Sequence, residues 1–388
     1  MIHTLQNLFT KYKWLLYTLL FVVCIGCSCR LLSTILYSHG SAEVNMQKTE
    51  ANYQLTQRFD MFMANTYSHS FEDILEIDTV FYLNDSDQVA PEPNQNQFGE
   101  SSDPAQLQWL LDDAAEILDG QKTLFNTSIK TLDGSSVHYY LDETIFCVTW
   151  KQVIHNAVYT ISEVKIAHPS QFRRFLSDGQ FGSARQYTTS QMASTVNAVV
   201  ASSGDFYKYR YSGTAVYNGV VERFNGVSLD TCFIEDQGEL LLSPAGELKS
   251  KEAAEQYVQD HNVRFSLCFG PILINDYQRC DPYQYDIGEI GKNYARAALC
   301  QMDELHYLLV TVNGESFYWA CPDIHSFAEV LEGFGVRHAY TLDGGQTATI
   351  VMNDQIINQV NYGAERYISD IIYFATAIPA VNKETTGS

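Results

Sequence analysis

Two short stretches of this 388-residue chain place a carboxylate and glycines at the end of an apolar run. In VVASSGDFYKYR the run ends at Ser202 and Ser203 and passes into Gly204, Asp205, Phe206 and Tyr207. In HAYTLDGGQTATI it passes into Asp343, Gly344 and Gly345, with Thr347 two residues further on. An Asp at a strand end followed by glycines lets carboxylate and backbone approach a ligand closely. A carboxylate flanked by aromatic rings suits carbohydrate, whose apolar ring faces stack on aromatics while hydroxyls seek carboxylates. Both stretches equally fit plain turns, because Asp-Gly between alternating runs is the commonest short hairpin signal. Two isolated cations stand beside apolar segments: Arg296 in NYARAALC, and Arg366 next to Glu365 in AERYISD. Each fits either an anion site or an ordinary salt bridge.

Other chemistries lack their signatures. There is no phosphate-loop glycine motif, HExxH pair, GxSxG elbow or dinucleotide fingerprint. The ten histidines show no ligand spacing and the nine cysteines form no zinc pattern, so no metal site is expected and no cofactor is assigned. With 46 Asp plus Glu against 24 Lys plus Arg, a net charge of −22 argues against nucleic-acid partners, which need a basic footprint. A small anion stays compatible, since one local Arg can hold one phosphate.

The elements that must position these residues begin near Ser135. From there the chain breaks into short Val, Ile, Tyr and Phe-rich runs separated by Gly, Asn and Asp: VHYYLDETIFCVTW, AVYTISEVKI, TVNAVVAS, LHYLLVTVNG, RHAYTL and TATIVM. These read as strands. Helices are expected over 169–176, 252–259 and 323–332, the last with an Asp cap and a terminating Gly333. Strands without regular helix alternation predict an α+β domain, a mixed and largely antiparallel sheet with a few packed helices, over 135–380. Residues 381–388 form a polar tail.

Upstream, residues 39–134 read as a linker with helical pieces. The stretch DSDQVAPEPNQNQFGESSDP cannot bury enough apolar area to offset its ordering entropy. An amphipathic helix follows, from Asp103 and Pro104 through Leu118 to Gly120. Residues 1–38 hold Lys11 and Lys13 ahead of an apolar run long enough to span a bilayer, interrupted by Arg30. A signal-anchor transmembrane helix with the C-terminal domain outside is expected; a cleaved signal peptide is the other reading. Cys24, Cys27 and Cys29 fall in or beside this run. Cys147, Cys232, Cys268, Cys280, Cys300 and Cys321 fit either disulfides or buried thiols.

Taken in order, the clusters resemble the phosphodiester glycosidase family over about 136–380. That family runs approximately TTS, NGDFF or NGDYY, a GP-containing strand, PRTAIG, a DGR turn, LDGGGS and R-x-S-N. Here the matching stretches are TTS at 188–190, SSGDFY ending at Tyr207, FGPILI from Phe269, YARAALC around Arg296, VNGE at 312–315, LDGGQT from Leu342 and RYISD from Arg366. Asp205, Arg296, Asp343, Gly344, Gly345 and Arg366 keep the pattern. Ser203, Ala295, Ala297, Asn313, Glu315, Gln346, Thr347 and Asp370 depart from it.

The resemblance implies a hydrolase of glycosyl phosphodiesters, acting on a cell-envelope or exopolysaccharide glycan. It implies Arg296 and Arg366 on the phosphate and Asp205 and Asp343 dividing the work at the anomeric carbon. Gly204, Phe206, Tyr207, Gly344, Gly345 and Thr347 would line the substrate. The substituted positions admit a second reading, a catalytically silent module that binds sugar phosphates, and a third, a structural envelope protein.

Overall fold

The computed structural model describes residues 127–130, 136–141, 145–166, 168–225, 228–282, 291–313, 321–352 and 354–376. The expected anchor, linker helix and polar tail lie outside the described residues. Among the described residues no helix is long and apolar enough to cross a membrane.

Period-2 alternation builds the frame. A nine-stranded antiparallel sheet starts with β1 (Thr127–Lys130), β2 (Ser136–Leu141), β3 (Ile145–Ile154) and β4 (Ala157–Ile166), which pair in succession. It continues through β15 (His306–Asn313), β14 (Arg296–Asp303), β16 (His338–Leu342), β12 (Ile272–Asn275) and β13 (Gln278–Arg279). A five-stranded sheet runs in the order β18 (Gln355–Ile356), β17 (Ile350–Met352), β6 (Val200–Ser203), β19 (Asp370–Phe374) and β5 (Phe172–Leu176). A smaller sheet joins β10 (Leu240–Ser243), β9 (Thr231–Glu235) and β11 (Val263–Leu267), and β7 (Gly213–Tyr217) pairs with β8 (Val220–Asn225).

Successive residues feed opposite layers, as strand geometry dictates. In β15, Tyr307 and Leu309 enter one core while Leu308 and Val310 enter another. In β19, Ile372 and Phe374 join Tyr307 and Leu309 between the two large sheets, while Ile371 and Tyr373 face outward. Helices cover the outer faces.

Helix α1 (Thr189–Thr195) is capped by Thr188 and buries Met192 and Ala193 on the five-stranded sheet. Helix α2 (Lys251–Asp260) buries Ala254 and Val258 against Phe233 and Val263. Helix α3 (Ile324–Gly333), capped by Asp323, sets Ile324, Phe327, Ala328 and Leu331 on the nine-stranded sheet. That i, i+3, i+4, i+7 stripe fits a one-sided helix, and its large apolar members contribute roughly 1.5 to 3 kcal/mol each. The result is helix, sheet, sheet, helix, an α+β domain as the sequence predicts.

Three local expectations are corrected. The helix expected over 169–176 is a single 3-10 turn, Pro169–Gln171, followed by strand β5. Long-range pairing of β5 with β19, Arg174 opposite Ile372, outweighs the local pattern. The strand expected in TVNAVVAS is α1 up to Thr195 and strand only from Val200. The Asp343-Gly344 turn closes no hairpin: β16 lies in the nine-stranded sheet and β17 in the five-stranded one. All six described cysteines are free thiols, Cys280 partly exposed and the others buried.

Candidate functional site

Strand register brings the first two site residues together. Ala297 of β14 pairs with Leu342 of β16, so Arg296 and Asp343 emerge side by side at the same end of the nine-stranded sheet. The five-stranded sheet delivers its own end to this place, where β6 leads into Gly204. The Asp343 backbone N–H donates to the Gly204 carbonyl at 3.2 Å, joining the two motifs across the layers.

Two glycines make the turn possible. A Cβ at Gly344 would lie 2.5 Å from the Ala295 carbonyl oxygen, so no larger residue fits without a shift. Gly345 sits at φ 66°, and its N–H donates to that same carbonyl at 2.8 Å. The Thr347 hydroxyl is buried and donates to the Gly344 carbonyl.

The joint opens into a cavity of about 380 Å³, a size suited to a small ligand. Arg210, Arg296 and Arg366 line it together with Asp343, Gly344, Gln346, Phe206, Phe269, Tyr294 and Tyr362. Arg296 is buried and donates through Nη2 to the Lys292 carbonyl at 2.7 Å. Arg210 donates to the Phe269 carbonyl at 2.6 Å and lies over the Phe269 ring. Arg366 is exposed and rests on the stacked rings of Phe206 and Tyr209, 5.4 and 5.5 Å from their centroids. Glu365 ties the Arg366 segment to α1 by accepting from the Ser190 backbone N–H at 2.9 Å and from the Ser190 hydroxyl.

Asp343 is the carboxylate among these lining residues. Partly exposed at the wall yet densely surrounded by protein, its carboxyl is raised to about 7. Burial is the main cause, and the Asp205 charge adds to it. The Arg366 charge, hydrogen bonding from Thr347 and the Arg210 charge oppose the shift.

The sequence-predicted residues therefore divide between wall and support. Arg296, Asp343, Arg366, Phe206 and Gly344 line the cavity. Asp205, Gly204, Tyr207, Gly345 and Thr347 stand behind the wall. The Asp205 carboxylate accepts from the backbone N–H groups of Phe206 at 2.6 Å and Cys268 at 2.7 Å. It also lies 3.7 Å from Nη2 of Arg174. Arg174, buried in β5, donates through Nε to Asp370 at 2.8 Å, and Asp370 accepts from the Asp205 N–H. The Asp370 carboxyl is raised to about 6, chiefly by burial and further by Asp205, against the pull of Arg174. Gly204 packs on Asp370, and Tyr207 stacks on Phe181 beneath Arg174.

Two contributors escaped the sequence reading. Arg210 lies five residues after Asp205 in the same cluster, so its signal was proximity to that motif. Arg174 sits in an apolar run with no motif, and its partners are remote in sequence.

Residues 196–375 match the family model described as phosphodiester glycosidase. Strands β1 to β5 precede the matched span yet complete its two large sheets.

The chain is 21% identical over 198 residues to the SPbeta prophage-derived uncharacterized protein YomE of Bacillus subtilis, covering 50% of this chain and 30% of that relative's length. Among solved structures it is similar to the zebrafish N-acetylglucosamine-1-phosphodiester alpha-N-acetylglucosaminidase catalytic domain auto-inhibited by its pro-peptide. That likeness has 16% identity and a TM-score of 0.47, over 65% of this chain and 81% of that one. A hypothetical protein from Synechocystis aligns at 12% identity and a TM-score of 0.48, over 61% of this chain and 63% of that one. A putative exported protein from Burkholderia pseudomallei aligns at 12% and 0.40, over 70% and 80%.

Proposed function

We propose that the cavity hydrolyses the bond between a sugar anomeric carbon and a phosphodiester, with Asp343 and the three arginines as its working parts. The observation that carries this reading is the convergence of Arg210, Arg296 and Arg366 on a cavity with a raised-pKa carboxylate at its wall.

The chemistry suits that set. When the C–O bond breaks, the sugar takes the oxocarbenium charge and the bridging oxygen leaves with phosphorus. A diester bearing one negative charge then becomes a monoester bearing two. Arginines placed around the phosphate bind the departing group more strongly than the ground state, which is how charge stabilisation accelerates a reaction. Such a leaving group needs neutralisation more than protonation, so one carboxylate suffices. Asp343 takes a proton from the attacking water, whose oxygen bonds to the anomeric carbon; that proton passes finally to the phosphomonoester. A carboxyl titrating near 7 is poised for this task.

In this reading Asp205 is a positioning residue that holds Phe206 and the Cys268 segment. The N-terminal apolar run supports placement of the domain outside a membrane, on an envelope or exopolysaccharide glycan. The test is turnover of a panel of glycosyl phosphodiesters by the wild type and Asp343→Asn, reading released phosphomonoester and free sugar. Wild-type turnover, reduced at least about 100-fold in the variant, is expected. Arg296→Lys should slow turnover without unfolding the chain, because it keeps the charge and loses the bidentate fork.

The withdrawal of Asp205 from the cavity wall favours a second reading, a sugar-phosphate-binding module without turnover. Saturable binding with no hydrolysis in wild type or variant would establish it over the first.

A further inference from the structure

The mouth of the cavity carries aromatic surface that the proposed reaction does not use. Tyr362 lines the mouth and is 85% exposed. Tyr294 lines it at 39% exposure. Phe206 lines it too, stacked at 4.8 Å on Tyr209, which is 42% exposed.

Tyr362 sits at φ 63° in the Asn361–Gly363 turn, closed by the Gly363 N–H donating to the Val360 carbonyl at 3.1 Å, and this turn presents the ring at the mouth. The Phe206–Tyr209 stack is fixed in advance by Arg366 lying over both rings. Rigid tyrosines offer an apolar face and a hydroxyl at small entropic cost, the surface that sugar rings require.

We infer that Tyr362, Tyr294 and the Phe206–Tyr209 stack form a sugar-binding lip that holds neutral sugar units flanking the phosphodiester. This rests on the reading of the cavity given above and narrows its substrate class. A chain with net charge −22 repels a polyanion, while three arginines attract one phosphate locally. The fitting substrate is a mostly uncharged oligosaccharide or polysaccharide bearing a single phosphodiester, in preference to a polymer with phosphate at every repeat.

The experiment measures binding of the full-length chain to uncharged hexasaccharides of glucose, N-acetylglucosamine, galactose and mannose, with glucose 1-phosphate as the anion probe. At least one hexasaccharide should bind, and Tyr362→Ala and Tyr209→Ala should each weaken it by about fivefold or more. Glucose 1-phosphate affinity should fall in Arg296→Lys and should fall less than hexasaccharide affinity in Tyr362→Ala, while Tyr209→Ala, which removes a ring from under Arg366, is read on the hexasaccharide alone. Tyr362→Gly relieves the left-handed backbone and should raise the melting temperature while weakening hexasaccharide binding equally, separating recognition from folding. Absence of hexasaccharide binding by the wild type, or binding that the lip variants leave unchanged, overturns the lip. Equal loss of both ligands in Tyr362→Ala overturns it as well. Failure of turnover would instead strike only the hydrolytic reading, since these measurements need no reaction.

Discussion

The Asp205 carboxylate accepts a hydrogen bond from the backbone N–H of Cys268 at 2.7 Å, across 63 residues of sequence. With its bond to the Phe206 N–H, it fastens together two segments that both contribute to the cavity wall.

Removing that carboxylate should be felt in folding first. Asp205→Ala leaves one buried and one partly buried N–H group without their acceptor and takes one of two anions from Arg174. A loss of about 3 to 5 kcal/mol in denaturant unfolding is expected, with Asp205→Asn milder. An Asp205→Ala protein of wild-type stability that lost only turnover would put Asp205 in the chemistry instead.

The pH dependence of activity separates base from acid. With Asp343 titrating near 7, kcat/KM should rise as pH increases through that value and level off above it. An activity that falls through the same range would assign Asp343 the opposite role, as a proton donor.

Stability should follow the reverse course. Asp343 and Asp370 both titrate above the ordinary Asp value in the folded chain, at about 7 and about 6. The folded state therefore holds these protons more tightly than the unfolded state. Their stabilising contribution is complete below about pH 4 and is lost as pH rises through 6 and 7. Urea midpoints should show a contribution of this sign between pH 5 and 8. The Asp370→Asn variant should reduce it.

Gly344→Ala tests the close approach. Its methyl would press on the Ala295 carbonyl, which leads directly into Arg296. A cost of roughly 1 to 3 kcal/mol is expected. The same displacement should reduce glucose 1-phosphate affinity, a joint effect that calorimetry and thermal unfolding can read on one sample.

Local pattern carried much of the frame. AVYTISEVKI corresponds residue for residue to β4, and Asp323 caps α3 as its type and spacing imply. These features are decided within a few residues. Others are decided far away. The segment FRRFL became a strand because Arg174 finds Asp370, 196 residues distant, and β5 finds β19. The turn at Asp343 resembled a hairpin because nothing nearby announces that its two strands join different sheets. The direction of the Asp205 carboxylate was likewise illegible, since its partner is a backbone N–H, which every residue except proline possesses.

The N–H to carbonyl contact between Asp343 and Gly204, with the longer Ser203 hydroxyl contact to the Asp343 carbonyl beside it, stitches one sheet to the other at the cavity. A hydrogen bond tolerates little lateral travel, so a slip between the layers of about one ångström would part it while leaving each sheet's own ladder whole. Gentle heating should then silence the protein before its circular dichroism changes, with function failing at the seam and the secondary structure outlasting it.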